Sequence, residues 1–160
     1  MIMKRLSGCS SENRQRGFTL IELIITVAVL AVVISIAAPN FQSLMANQRV
    51  KSAADELLMS IMYARAEAIK TRSEVAVVRT GANWGNGWSV KQGVVVLRKD
   101  DKSGLLVSDF SGDKLTFSRN GRPSAEATFS VCDVAGKAER RKVNVSLSGQ
   151  ARVTKSGSCE

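Results

Sequence analysis

From Phe18 to Ala38 the chain runs 21 residues with a single charged side chain, Glu22. At 1.5 Å rise per residue this is roughly 30 Å of helix, about the thickness of a bilayer's hydrocarbon core. A buried core helix of that length would need a surrounding shell that a chain of 160 residues cannot build. A cleaved secretory signal carries a shorter apolar region, about 7–15 residues, and ends in a small-residue site. Only Ser35-Ile36-Ala37-Ala38 imitates one. The run therefore reads as a retained membrane helix. Lys4, Arg5, Arg14 and Arg16 precede it, so the N-terminus is expected in the cytoplasm and the rest of the chain on the exported side.

The residues on either side set the organisation. Residues 1–17 are polar and basic and read as a leader. Beyond Pro39, the residues Val50, Ala54, Leu57, Ile61, Ala64 and Ala68 recur at spacings of 4, 3, 4, 3 and 4, one apolar face of an amphipathic helix. One helix is expected over 18–72, apolar all round over 18–38 and one-faced after it, with a kink or loosening at Pro39. From 73 to 160 the pattern is short and β-branched, with frequent turns. Strands are expected around Val75–Arg79, in two pieces within Trp88–Leu97 with Gly93 between them, and around Leu105–Val107, Leu115–Phe117, Thr128–Val131 and Arg141–Leu147, with Arg98–Gly104 as a charged turn. In the Arg141–Leu147 strand, Val143, Val145 and Leu147 share one face. The fold class is α+β, a long helix packed on antiparallel sheet. Trp84 and Trp88 read as aromatic plugs over the helix–sheet core, or else as stacking platforms for single strands.

There are three cysteines and no histidine. Cys9 falls in the leader. Cys132 and Cys159 fall in the exported part, where an oxidising compartment favours a disulfide closing 26 intervening residues. Two free, buried thiols are the alternative. Nothing resembles a nucleophile, base and orienter, so no enzyme, cofactor or metal site is expected.

Glu22 demands an account, because a carboxylate in a membrane span is costly and implies a partner. Were the chain cut after Gly17, a cationic amine at Phe18 of one subunit would be available to the Glu22 carboxylate of the next. Alternatively Glu22 simply sits at the interface, favoured by the helix dipole.

Arg16-Gly17-Phe18-Thr19-Leu20-Ile21-Glu22, followed by the apolar run and Pro39, resembles the leader junction of type IV pilins and type II secretion pseudopilins. The resemblance implies cleavage by prepilin peptidase between Gly17 and Phe18, methylation of the new Phe18 amine, and a requirement for Glu22 in fibre assembly. Further blocks, Trp84-Gly85-Asn86-Gly87-Trp88, Leu115-Thr116-Phe117-Ser118-Arg119-Asn120-Gly121-Arg122-Pro123, Phe129-Ser130-Val131-Cys132 and Val145-Ser146-Leu147-Ser148-Gly149-Gln150-Ala151-Arg152-Val153, are similar to the FimT/FimU minor pilins and the related H-type pseudopilin. They imply other major and minor pilins as partners, a single pass through the inner membrane before assembly, and then a place in the pilus, the periplasm or at the cell surface. The same resemblance places a disulfide between Cys132 and Cys159. DNA-binding FimT-like proteins share a Gly-Arg-x-Arg signature; here Gly149-Gln150-Ala151-Arg152 keeps only the second arginine.

Charge bears on the same question. The chain carries +9 overall, of which the leader holds +3. Segment 137–155 holds Lys137, Arg140, Arg141, Lys142, Arg152 and Lys155 against Glu139, a net +5. Such a concentration is a footprint for polyanions, DNA among them, if the loops around 137–140 and 149–155 meet at one end of a sheet. Arg152 and Lys155 lead the candidates, followed by Arg140, Lys142, Arg141 and Lys137. A solvated face is the plainer reading. Strand alternation would send Arg141 and Lys142 to opposite faces.

Overall fold

The computed structural model describes residues 17–101, 105–108 and 110–159. Positions 1–16, with Cys9 and the cations Lys4, Arg5, Arg14 and Arg16, lie outside the described residues. The backbone divides into two units, Met1–Ala38 and Pro39–Glu160. Helix α1, Leu20–Thr71, belongs to both and is unbroken in secondary structure at Pro39.

In the first unit the helix starts where the sequence offers a cap. Thr19 Oγ1 accepts from the Glu22 backbone N–H at 3.3 Å, and the Thr19 carbonyl accepts from Leu23 N–H at 3.1 Å. Thr19-Leu20-Ile21-Glu22 thus has the spacing of a capping box, with the acid in the first turn, where the helix dipole favours it. The helix begins two residues later than expected because Phe18 and Thr19 stay outside it. The window Leu20–Ala37 is long and apolar enough to cross a membrane, and none of it is buried among the described residues. Its hydroxyls are used internally: Thr26 Oγ1 donates to the Leu23 carbonyl at 2.8 Å and Ser35 Oγ to the Val32 carbonyl at 2.7 Å.

In the second unit all six residues of the expected apolar face, Val50 through Ala68, are fully buried. Among the described residues they pack against eight strands in two antiparallel sheets. The first sheet has the order β3-β2-β1-β5, formed by β1 (Val75–Arg79), β2 (Trp88–Gln92), β3 (Val95–Asp100) and β5 (Lys114–Phe117). The second has the order β4-β6-β7-β8, formed by β4 (Leu105–Ser108), β6 (Ala127–Asp133), β7 (Glu139–Val145) and β8 (Ala151–Ser158). Trp84, Phe110 and Phe129 form an aromatic cluster with ring centroids 4.8–5.7 Å apart. Trp84 Nε1 donates to the Gly112 carbonyl at 2.9 Å. Trp84 and Trp88 are 3% and 1% exposed. They are core plugs, which removes the stacking-platform reading.

Three strand expectations change, and the first is that Ala151–Ser158, expected as a loop through Lys155, is strand β8 paired with β7. Arg98–Asp100 is not a turn but the end of β3, paired with Val90, Ser89 and Trp88. The charges are tolerated there because they satisfy one another: Arg98 Nε donates to Asp100 Oδ2 at 2.8 Å, and Ser60 Oγ on α1 donates to the same oxygen at 2.9 Å. The Asp100 hydrogen bond, and then its charge, hold the Arg98 guanidinium above its ordinary pKa against a desolvation that acts the other way. Leu147 does not share the face of Val143 and Val145. It lies in the turn after β7 and is exposed, because Gly149 N–H donates to the Ser146 carbonyl at 2.8 Å and closes the chain back on itself.

Candidate functional sites

At the start of the described chain, Gly17 and Phe18 precede the helix and are exposed, Phe18 by 83%. A peptidase needs an extended, accessible backbone at the bond it cuts, and the Gly17–Phe18 bond lies just outside the first helical turn. Glu22 sits in that turn, exposed among exposed apolar neighbours. Thr19, overlooked in the sequence, fixes where the helix begins; its position three residues before a glutamate was the available signal.

The basic segment is laid out along the globular half of α1, which serves as a ruler. At one end, Lys137 Nζ donates to Gln42 Oε1 at 2.9 Å and Glu139 N–H donates to Asn47 Oδ1 at 2.7 Å. At the other, Arg65 Nη1 donates to the Gly149 carbonyl at 2.8 Å. Gln42 and Arg65 are about 35 Å apart along an ideal helix. The expectation that the 137–140 and 149–155 segments meet at one end of the sheet holds for Lys155, which pairs with Glu139 at 3.0 Å, and fails for Gly149, which the β7–β8 turn places at the opposite end. Gly149 is required at its end. Its φ is +78°, and an added Cβ would come within 2.3 Å of the Gly121 carbonyl oxygen.

The register then divides the cations between two faces. Arg141 lies opposite Lys155, on the side of buried Val143 and Val153's inward face. Lys142 and Arg152 point to the other side with Asn144 and Thr154. On this solvent side Thr128 Oγ1 donates to Asn144 Oδ1 at 3.1 Å and Asn144 Nδ2 donates to Thr154 Oγ1 at 3.3 Å, a polar rung beside Arg152. Arg140 is half-buried. Lys155 is an ion-pair partner of Glu139 at 3.0 Å. That hydrogen bond and charge, with a smaller contribution from Arg141, hold the Glu139 carboxyl below its ordinary range. The six candidates therefore do not form one patch. Gln42, Asn47 and Arg65, the polar side chains that dock the sheet on the helix, were not singled out in the sequence, where they border the apolar stripe without breaking it.

Cys132 and Cys159 form the disulfide, with Cα atoms 5.6 Å apart. The pairing shifts register between Glu139 and Arg141, opposite Gly157, whose φ is +67°. One extra residue on β8 at a left-handed glycine is a bulge that reverses which face the following side chains take. It brings Cys159 to the face of the sheet that Cys132 occupies.

An exposed apolar helix leading into a helix-on-sheet domain is the architecture of a pilin, and the comparisons with known proteins agree. Residues 13–38 match the family model described as the prokaryotic N-terminal methylation motif, and residues 53–149 match that of the type II transport protein GspH. The type IV narrow pilus major component PilA5 of Thermus thermophilus is 30% identical over 115 residues, which cover 68% of this chain and 91% of that protein. A fimbrial protein of Pseudomonas aeruginosa is 38% identical over 64 residues, 40% of this chain and 36% of the relative. A crystal structure of the type IV minor pilin FimU of Pseudomonas aeruginosa superposes with a TM-score of 0.58 at 28% identity, covering 69% of this chain and 99% of FimU. A second crystal form gives 0.59. The chain belongs to the GspH/FimT family of type IV minor pilins and pseudopilins.

Proposed function

We propose that this protein is a minor pilin incorporated into a type IV pilus. It is made as an inner-membrane precursor, cut by prepilin peptidase between Gly17 and Phe18, and methylated on the Phe18 amine. It then packs with other pilins through the 18–38 helix and supports pilus initiation as a structural subunit. The observation that carries this reading is the wholly exposed apolar helix with Glu22 as its only charge. An apolar surface left unburied among the described residues is stable only in lipid or against like helices. Glu22, paired with the Phe18 amine of a neighbour, sets the register of that packing. Intact-mass measurement of the protein in the membrane fraction tests the processing: the chain begins at Phe18 and carries one added methyl. Glu22→Ala tests the assembly: processing persists while the amount in sheared pili falls. A mature chain beginning elsewhere, or undiminished incorporation of the variant, refutes the respective step.

A type II secretion pseudopilin is the second reading, favoured by the match of 53–149 to the GspH model. It predicts a secretion defect, with pili unaffected, on deletion of the gene. A role as a DNA receptor has narrower support, from Lys142 and Arg152 on one solvent face of the β7–β8 ladder. Lys142→Gln with Arg152→Gln should then weaken DNA retention and lower its salt dependence. Unchanged gel shifts dismiss it.

A further inference from the structure

A recess of about 420 Å³ opens at the Gln42 end of the domain, lined by Asn47, Lys137, Glu139 and Lys155 and by the backbone of Gly136 and Gly157. Two features set it apart from the rest of the basic segment. The first is its composition. Lys137 gives one of its three donors to Gln42 and Lys155 one to Glu139, so both ammonium groups keep donors for an incoming acceptor. The second is its place in the chain. Gln42 is five residues beyond Ala37, where the membrane-length window ends. Five residues span at most about 18 Å even when fully extended. Whatever angle the helix takes, the Lys137 contact is tethered close to the edge of the hydrocarbon, where lipid phosphates lie.

We propose that this recess binds the phosphodiester headgroup of an anionic phospholipid while the subunit waits in the inner membrane, with Lys137 and Lys155 as the phosphate contacts. The inference rests on the membrane-anchored reading of the 18–38 helix. Glu139 is the built-in opponent: its carboxylate holds Lys155 and adds a negative charge to the recess, which keeps the lipid exchangeable. Leaving the membrane for a fibre removes the headgroup and returns Lys155 to Glu139. Lys137 and Lys155 are thereby assigned to the membrane surface, and Lys142 and Arg152 are left out of it.

The test uses the full chain in a neutral detergent, titrated with phosphatidylglycerol, phosphatidylcholine or inorganic phosphate and followed by native mass spectrometry. Phosphatidylglycerol should bind saturably at one site. Lys137→Gln with Lys155→Gln should weaken that binding on the order of tenfold, Glu139→Gln should strengthen it, and Lys142→Gln with Arg152→Gln should leave it unchanged. The strengthening by Glu139→Gln keeps the test decisive should the double lysine variant misfold, since damage to the fold does not tighten binding. Phosphatidylcholine binding as well as phosphatidylglycerol, inorganic phosphate binding as well as either lipid, or Glu139→Gln failing to strengthen the site overturns the proposal. Carbonate washing of membranes separates the two failures. A chain released into the wash overturns both the anchored reading and the lipid site. A retained chain indifferent to headgroup charge overturns the lipid site alone.

Discussion

Arg65 Nη1 donates to the carbonyl oxygen of Gly149 at 2.8 Å, across 84 residues of sequence. This bond ties the helix to the β7–β8 turn, the stretch Gly149-Gln150-Ala151-Arg152. Gly121 packs in the same corner, so close to Arg65 and Ile69 that neither glycine has room for a Cβ. A charged donor here satisfies a carbonyl that the turn leaves unpaired.

Arg65→Ala should therefore destabilise the protein by about 1.5–3 kcal/mol, the usual range for a hydrogen bond from a charged group. Urea unfolding of the full chain in detergent measures it. Gly149→Ala should also destabilise, because an alanine there takes an unfavourable φ and collides with the Gly121 carbonyl oxygen. If either variant unfolds at the wild-type midpoint, the corner carries no stability.

Leu57 and Ile61 are fully buried on the face of α1 that meets both sheets. Leu57→Ala should cost about 2–5 kcal/mol. Met59→Ala, on the exposed side of the same helix, should leave the unfolding midpoint nearly unchanged. Comparing the two separates core packing from helix propensity.

Reduction of Cys132–Cys159 releases a loop with a sequence separation of 27. On the chain-entropy account this costs about 3–4 kcal/mol. Thermal unfolding with and without reductant should show the loss, and Cys132→Ser should reproduce it without reductant.

The Lys155 hydrogen bond and charge lower the Glu139 pKa from its ordinary value of 4.5. A carboxyl depressed in the folded state stabilises above its unfolded pKa. That contribution fades as pH falls through the folded value. Carbon-detected NMR titration should place Glu139 below the ordinary value, and Lys155→Gln should move it back up. No upward movement in that variant would remove the ion pair from the account.

The apolar pattern revealed most of what it controls. Val50 to Ala68 are spaced as a helix face, and that face is buried. Val143 and Val145 alternate, and both point into the core. The cysteine pair was legible because only two cysteines lie beyond the apolar run. Polar groups misled where their partners are distant in sequence. Arg98 and Asp100 read as a solvated turn because Ser60, which donates to Asp100 at the core's edge, is 40 residues away. For the six cations of 137–155, charge density suggested a shared footprint while strand alternation argued for two faces, and only the register decided between them. A strand that separates Lys142 from Arg141 by face, and Lys137 from Gly149 by its length, dispersed them. Leu147 missed the core because the glycine turn two residues on outweighed its place in the alternation.

Thr26 and Ser35 spend their hydroxyls on carbonyls of their own helix. Neither asks anything polar of its surroundings. In the proposed assembly, the apolar shaft exchanges lipid for a neighbouring shaft without breaking or remaking a single hydrogen bond at those two positions, and what remains to be negotiated is concentrated at Glu22.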